Sequence, residues 1–125
     1  MIKLAIRTIK DTRHQKTKYY PAATYSGTIG REAICEQISG RTTFAQADVL
    51  STLCALEEII AQKLQNGGIV RLGSLGSFRT SLRATEGVDE KEAVTTKNIK
   101  SVHVVFTPSA SLNTRLQDNV QYSLK

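Results

Sequence analysis

The first residues alternate. Ile2, Leu4, Ile6 and Thr8 fall on one side of an extended chain, with Lys3, Arg7 and Lys10 broadly on the other, which predicts a half-buried strand over 2–10. The segment 11–18, DTRHQKTK, has no apolar residue and predicts a mobile basic loop. Residues 19–25 are β-prone but contain Pro21, which has no N–H for a ladder and so confines the segment to an edge strand or an extended stretch. After Gly27 the period lengthens. Ile34 and Ile38 lie four apart with Ala33 and Cys35 beside them, predicting a helix from Thr28 or Gly30 to Ser39, stopped by Gly40. Thr43 and Gln46 have capping-box spacing, so a second helix is expected from there to about Gln65. Its stripe is Val49, Leu53, Leu56, Ile60 and Leu64, widened by Leu50, Cys54 and Ile59. Asn66-Gly67-Gly68 suits a left-handed cap at its end.

Period two returns at NGGIVRLGSLGSFRTSLR (66–83), the stretch around which the rest is arranged. It reads as two short strands joined by a turn between Gly73 and Gly76. Phe78, Thr80 and Leu82 line one face; Arg71, Arg79 and Arg83 occupy the other, with no acid among them. Residues 84–101 are polar, and Asp89 is placed to cap a helical turn ending near Ala93. SVHVVF (101–106) predicts a strand with Val102, Val104 and Phe106 on one face and His103 and Val105 on the other; Pro108 ends it. Ser109 then caps a last helix bearing Leu112, Leu116 and Val120.

The stripe of the second helix is too wide for the short first helix to cover. A second copy of the same helix is the simplest cover, which predicts a homodimer with Val49, Leu53, Leu56, Ile60 and Leu64 at its interface. Charge sharpens the reading. The 125 residues carry 17 Lys+Arg against 11 Asp+Glu, a net +6 that is unevenly spread. Residues 1–31 hold seven basic side chains against Asp11, and residues 69–83 hold three arginines and no acid, whereas residues 32–68 sum to −3. Positive charge concentrated on strands points to a polyanionic partner. No apolar run approaches a membrane span, and the first ten residues lack the uninterrupted apolar segment of a signal peptide, so a cytoplasmic protein is expected. Cys35 and Cys54 form no CxxC or Cys/His cluster and read as reduced thiols on helices; no metal or cofactor is implied. His14 and His103 are isolated from any nucleophile or acid pattern, and an enzyme has no support. Gly73-Ser74-Leu75-Gly76 has the GxxG form of an RNA-binding KH loop, but strands rather than helices flank it.

The order of helix, long helix, glycine hairpin, polar excursion, strand, proline and helix, with GSLGSF (73–78) and FTPSASL (106–112), resembles the HU/IHF family of bacterial histone-like DNA-bending proteins. Gly76, Phe78, Phe106, Pro108 and Leu112 stand at the fixed points of that pattern, and the resemblance covers about residues 28–120. It implies an α+β fold: an intertwined dimer with a helical body, a three-stranded antiparallel β saddle and two β-arms that wrap double-stranded DNA, each tip inserting an apolar wedge between base steps. Residues 28–125 are then the DNA-binding domain, and residues 1–27 an N-terminal β extension like that of a divergent subgroup. The expected DNA contacts are Arg71, Arg79 and Arg83, continued by Lys97, Lys100 and His103 on the returning strand, with further phosphate contacts from the N-terminal basic residues as an open alternative. The arm departs from the pattern. The chain's two prolines are Pro21 and Pro108, and residues 84–100 hold Glu86, Asp89, Glu90 and Glu92 against three lysines. A nucleoid protein binding DNA without sequence preference is the expected function; a structural or protein-interaction module with weak DNA binding is the alternative.

Overall fold

A computed structural model describes residues 1–124. Its order is β1 (Ile2–Asp11), β2 (Lys16–Ala23), α1 (Arg31–Arg41), α2 (Gln46–Gln65), β3 (Val70–Arg71), β4 (Gly76–Ala84), β5 (Ile99–Pro108), α3 (Ala110–Asn119) and β6 (Tyr122–Leu124). This is an α+β chain with two three-stranded sheets, β2-β1-β6 and β3-β4-β5.

The first sheet is a hairpin of β1 and β2 with β6 added parallel to β1 over Ile2–Leu4. Two expectations change here. The basic segment 11–18 is not a long loop: β1 runs to Asp11, β2 begins at Lys16, and four residues turn the chain, with Asp11 Oδ1 accepting from the Arg13 N–H at 2.9 Å. The C-terminal strand was also not expected, because three residues are too few to display a period. Pro21 lies in β2 at the sheet edge, where a missing N–H costs no ladder bond.

The helices pack as a pair with Cys35 and Val49 buried, and Leu64, near the end of α2, is buried toward the second sheet; these three are the buried apolar side chains among the described residues. α1 does not stop at Gly40. It continues to Arg41, and Thr42 closes it by donating its hydroxyl to the Ile38 carbonyl at 2.9 Å. That hydroxyl also accepts from the Phe44 N–H at 3.3 Å, and Ser39 Oγ donates to the Phe44 carbonyl at 2.8 Å. The turn so formed displaces the expected capping box. Ala45, not Thr43, is the N-cap of α2, its carbonyl accepting from the Val49 N–H at 3.1 Å. α2 ends as its glycines require. Gly67 has φ 81°, and the N–H groups of Gly67 and Gly68 reach the carbonyls of Leu64 and Lys63 at 3.1 and 2.9 Å, which is a Schellman closure. An ion pair of Arg31 with Glu57, 3.1 Å, joins the helices at the surface and adds little stability there. No described helix is long and apolar enough to cross a membrane.

Candidate nucleic-acid interface

The second sheet is organised by the turn between β3 and β4. The Leu75 N–H donates to the Leu72 carbonyl at 2.9 Å and the Leu72 N–H to the Gly76 carbonyl at 2.8 Å, with Gly73 at φ 48° and Gly76 at φ 149°. α3 is moored to this turn. Ser109 Oγ accepts from the Leu112 N–H at 3.0 Å as the helix N-cap and donates to the Ser74 carbonyl, while the Ser109 N–H reaches the Leu75 carbonyl at 3.1 Å.

Register decides which side chains share a face. Val70 and Arg71 pair with Phe78 and Ser77, and β4 pairs with β5 so that Phe78 opposes Phe106, Arg79 opposes Val105, Ser81 opposes His103 and Arg83 opposes Ser101. Directly opposed residues lie on the same side of an antiparallel sheet. One face therefore presents Arg71, Ser77, Arg79, Ser81, Arg83, Ser101, His103 and Thr107 around Val105. All three arginines are exposed, and no carboxylate shares the face. Beyond Arg79 the third strand is gone, so Arg79 and Arg83 stand on a two-stranded ribbon.

Of the six residues expected to contact DNA, Arg71, Arg79, Arg83 and His103 are brought together on this face. Lys100 lies at an irregularity, since Arg83 pairs with Ser101 and Ala84 with Ile99, leaving Lys100 as the extra residue of a β-bulge. Lys97 is not on the returning strand. It sits in a 3-10 turn, Thr96–Asn98, closed by Thr95 and Asn98 capping each other. The hydroxyls of Ser77, Ser81, Ser101 and Thr107 were missed as candidates, because a serine on a strand carries no signal until the ladder places it between arginines.

The excursion between β4 and β5 also differs from its expectation. The ladder ends at Ala84 and Ile99, with one further bond from the Thr85 N–H to the Asn98 carbonyl at 2.7 Å. A helical turn does form at Lys91–Ala93, but its N-cap is Glu90 and no side chain caps it, so Asp89 does not hold it. Residues 84–97 are exposed throughout.

The reverse face of the sheet is apolar: Val70, Phe78, Thr80 and Leu82 with Val102, Val104 and Phe106. The Phe78 and Phe106 rings stack tilted at 4.9 Å. α2 lies beside this face, and a cavity of about 540 Å³ opens between Ala61 and Leu64 on the helix and Thr80, Leu82, Val102 and Val104 on the sheet. Leu82 is 61% and Val102 60% exposed. On α2 the expected interface divides. Val49 and Leu64, each 6% exposed, are already buried within one chain and have no surface left for a second copy. Leu53, Leu56 and Ile60 are half-buried, and Leu50 and Ile59 are exposed.

A helix pair capped by a glycine turn, a three-stranded sheet with one basic and one apolar face, and a third helix moored to the sheet's turn define an HU-like domain. The family described as an HU domain fused to wHTH, Ig, or Glycine-rich motif (HU-HIG) matches residues 2–122, and the chain belongs to it. Among solved structures, a candidate bacterial DNA-binding protein from Bacteroides vulgatus ATCC 8482 superposes with a TM-score of 0.70 at 18% identity, covering 98% of this chain and 47% of its own. This chain thus spans about half the length of that protein. A mutant HU from Thermotoga maritima (TM-score 0.52, 17% identity) covers 70% of this chain and 99% of its own; HU from Anabaena, in a cocrystal with DNA (TM-score 0.55, 14% identity), covers 74% and 100%. No curated protein sequence matches the chain. At these identities the structures establish the fold alone.

Proposed function

We propose that the protein is a homodimeric, sequence-indifferent DNA-binding protein of the nucleoid that grips duplex phosphates through the basic face of its β3-β4-β5 sheet. The observation that carries this reading is the register, which gathers Arg71, Arg79, Arg83 and His103 among hydroxyls with no acid on the face. Guanidinium groups and hydroxyls are the usual donors to phosphate oxygens, and such contacts position a protein on DNA without reading sequence. The Anabaena HU cocrystal with DNA supports the choice of partner. No catalytic step belongs to this reading.

Exposed apolar surface supports the dimer. The single chain exposes 11123 Å², whereas a compact monomer of this mass exposes about 6,600 Å². Part of the difference belongs to projecting ribbons, but Leu53, Leu56 and Ile60 are only half-buried on α2, and Leu82, Val102 and Val104 lie open beside the cavity between α2 and the sheet, apolar surface that a second copy would cover.

The test is substitution of Arg71, Arg79 and Arg83 together by Gln. Binding to all duplex sequences should weaken alike. The slope of log K against log salt should shrink by about 0.9 for each phosphate no longer neutralised, about three per protomer at most. Unchanged affinity and slope would remove this face from the interface.

Strong bending is not part of the proposal. Kinking needs a wedge that offsets a few kcal/mol of unstacking by gaining wrapped surface. The 85–98 connection offers no proline and holds Glu86, Asp89, Glu90 and Glu92 against Lys91 and Lys97. Changing those four acids to Gln should tighten binding without creating a kink. Energy transfer between the labelled ends of a short duplex reads this directly, and a large shortening on binding the wild-type protein would contradict it.

A further inference from the structure

The strongest concentration of positive charge lies outside the face just described. Residues 2–23 hold Lys3, Arg7, Lys10, Arg13, Lys16 and Lys18 against Asp11. Their distribution is set by the β1-β2 register, in which Arg7 opposes Tyr20, Ile9 opposes Lys18, Lys10 opposes Thr17 and Asp11 opposes Lys16. Lys3, Arg7, Lys16 and Lys18 therefore lie on one side with Tyr20, Ile9 and Asp11. The other side carries Ile2, Leu4, Ile6, Thr8, Tyr19 and Pro21, with Lys10 its one charged residue. At its base this apolar side adjoins the body, since Ile2 shares a cavity of about 650 Å³ with Leu112 and Leu116 of α3. The basic side faces away.

Three features of that side suit a long polyanion. It is continuous, running from Lys3 to Asp11 over about 27 Å at ordinary strand rise. All four of its basic residues are exposed, and none is among the paired groups of the described residues. Its single acid is engaged at the turn with the Arg13 N–H. The surface is also firmly held. β6 pairs with Ile2–Leu4, and the Thr24 N–H and hydroxyl both donate to the Lys3 carbonyl, at 2.9 and 2.8 Å. Beyond that anchor Ala5–Asp11 and Lys16–Ala22 form a free two-stranded ribbon.

We infer that the outer face of the β1-β2 ribbon, through Lys3, Arg7, Lys16 and Lys18, is a second phosphate-contacting surface for duplex DNA. This extends the DNA-binding reading above to a site that the sheet arginines do not include. A spaced row of exposed like charges suits a repeating phosphate chain rather than a small anion or a folded acidic protein. The N-terminal ribbon is thus positive along its length, whereas on the β4-β5 ribbon the positive charge of Arg79 and Arg83 gives way to acids in the connection beyond Ala84.

The experiment compares full-length variants on a random-sequence duplex across a salt series. The first is Lys3→Gln/Arg7→Gln/Lys16→Gln/Lys18→Gln, the second Arg71→Gln/Arg79→Gln/Arg83→Gln. Lys18→Gln is paired with Lys10→Gln, a control on the opposite side of the same ribbon. All the substituted side chains are exposed, so thermal melts should match wild type. The expected result is a fall in the salt slope of up to about 3.6 per protomer for the quadruple variant, of about 0.9 per protomer for Lys18→Gln, and none for Lys10→Gln. A wild-type slope in the quadruple variant overturns the ribbon site, and so does an equal effect of Lys10→Gln, which would mean that net charge alone matters. A slope change with single-stranded RNA but not with the duplex also overturns it. If the quadruple variant loses slope and the sheet variant does not, the ribbon site stands and the sheet reading falls; the reverse pattern rejects the ribbon alone.

Discussion

Ile60→Lys, or Leu53→Lys, is expected to eliminate the folded dimer without releasing a folded monomer. Both side chains are half-buried in one chain, Leu53 beside a cavity it shares with Ile38 of α1. A second copy placed over these positions would take the new ammonium group out of water. An unpaired buried charge costs several kcal/mol, comparable with the roughly 5–15 kcal/mol that holds a typical domain together. The separated chain has little to fall back on, because the buried apolar side chains among the described residues are Cys35, Val49 and Leu64. Sedimentation and helical circular dichroism, measured together on each variant, check this. A monomer with wild-type helicity and melting temperature would show that one chain is stable alone and that the open cleft serves another purpose.

Gly76→Ala should be the most damaging single methyl group in the β3-β4-β5 sheet. Gly76 has φ 149°, which a side chain rarely adopts, and a Cβ there would stand 2.9 Å from the Phe106 ring and closer still to the Thr107 carbonyl oxygen. Neither neighbour can move freely. Phe106 is stacked on Phe78, and Thr107 is held in the ladder opposite Ser77. Backbone strain of about 1–3 kcal/mol and overpacking of a similar size together predict a loss of about 2–6 kcal/mol, or roughly ten degrees or more in melting temperature. Gly73→Ala is the control. Its φ of 48° is also left-handed, but a Cβ would meet nothing within 4 Å, so about 1 kcal/mol is expected. Equal losses in the two variants would mean that contact with Phe106 and Thr107 is not what requires glycine at position 76.

These two glycines show how the fold was written locally. GSLGSF announced a tight turn followed by an aromatic strand, and the structure adds the reason for the second glycine: the strand returning about 30 residues later lies directly against it. Long periodic elements were legible in the same way. β1, α2 and the middle of β5 fall where their periods put them, because each sums the same preference over many positions. The errors lie at ends. α1 runs through Gly40, and α2 is capped by Ala45, because hydroxyls of Ser39 and Thr42 tie the intervening turn in a way no spacing rule encodes.

The candidate site divides along the same line. Alternation within one strand placed Arg79 and Arg83 on one face opposite Phe78 and Leu82, since side chains two apart in a strand share a side whatever surrounds them. Pairing between strands was beyond the sequence. It set four unexpected hydroxyls beside the arginines and His103, put Lys100 at a bulge, and took Lys97 off the strand into a turn. It also sorted the N-terminal lysines: Lys16 and Lys18 join Lys3 and Arg7, whereas Lys10 falls on the other side. Charge and period are properties of a segment and can be read from it. Which charges face the same way across two strands depends on register, and register is fixed only when turns, bulges and buried neighbours are all in place.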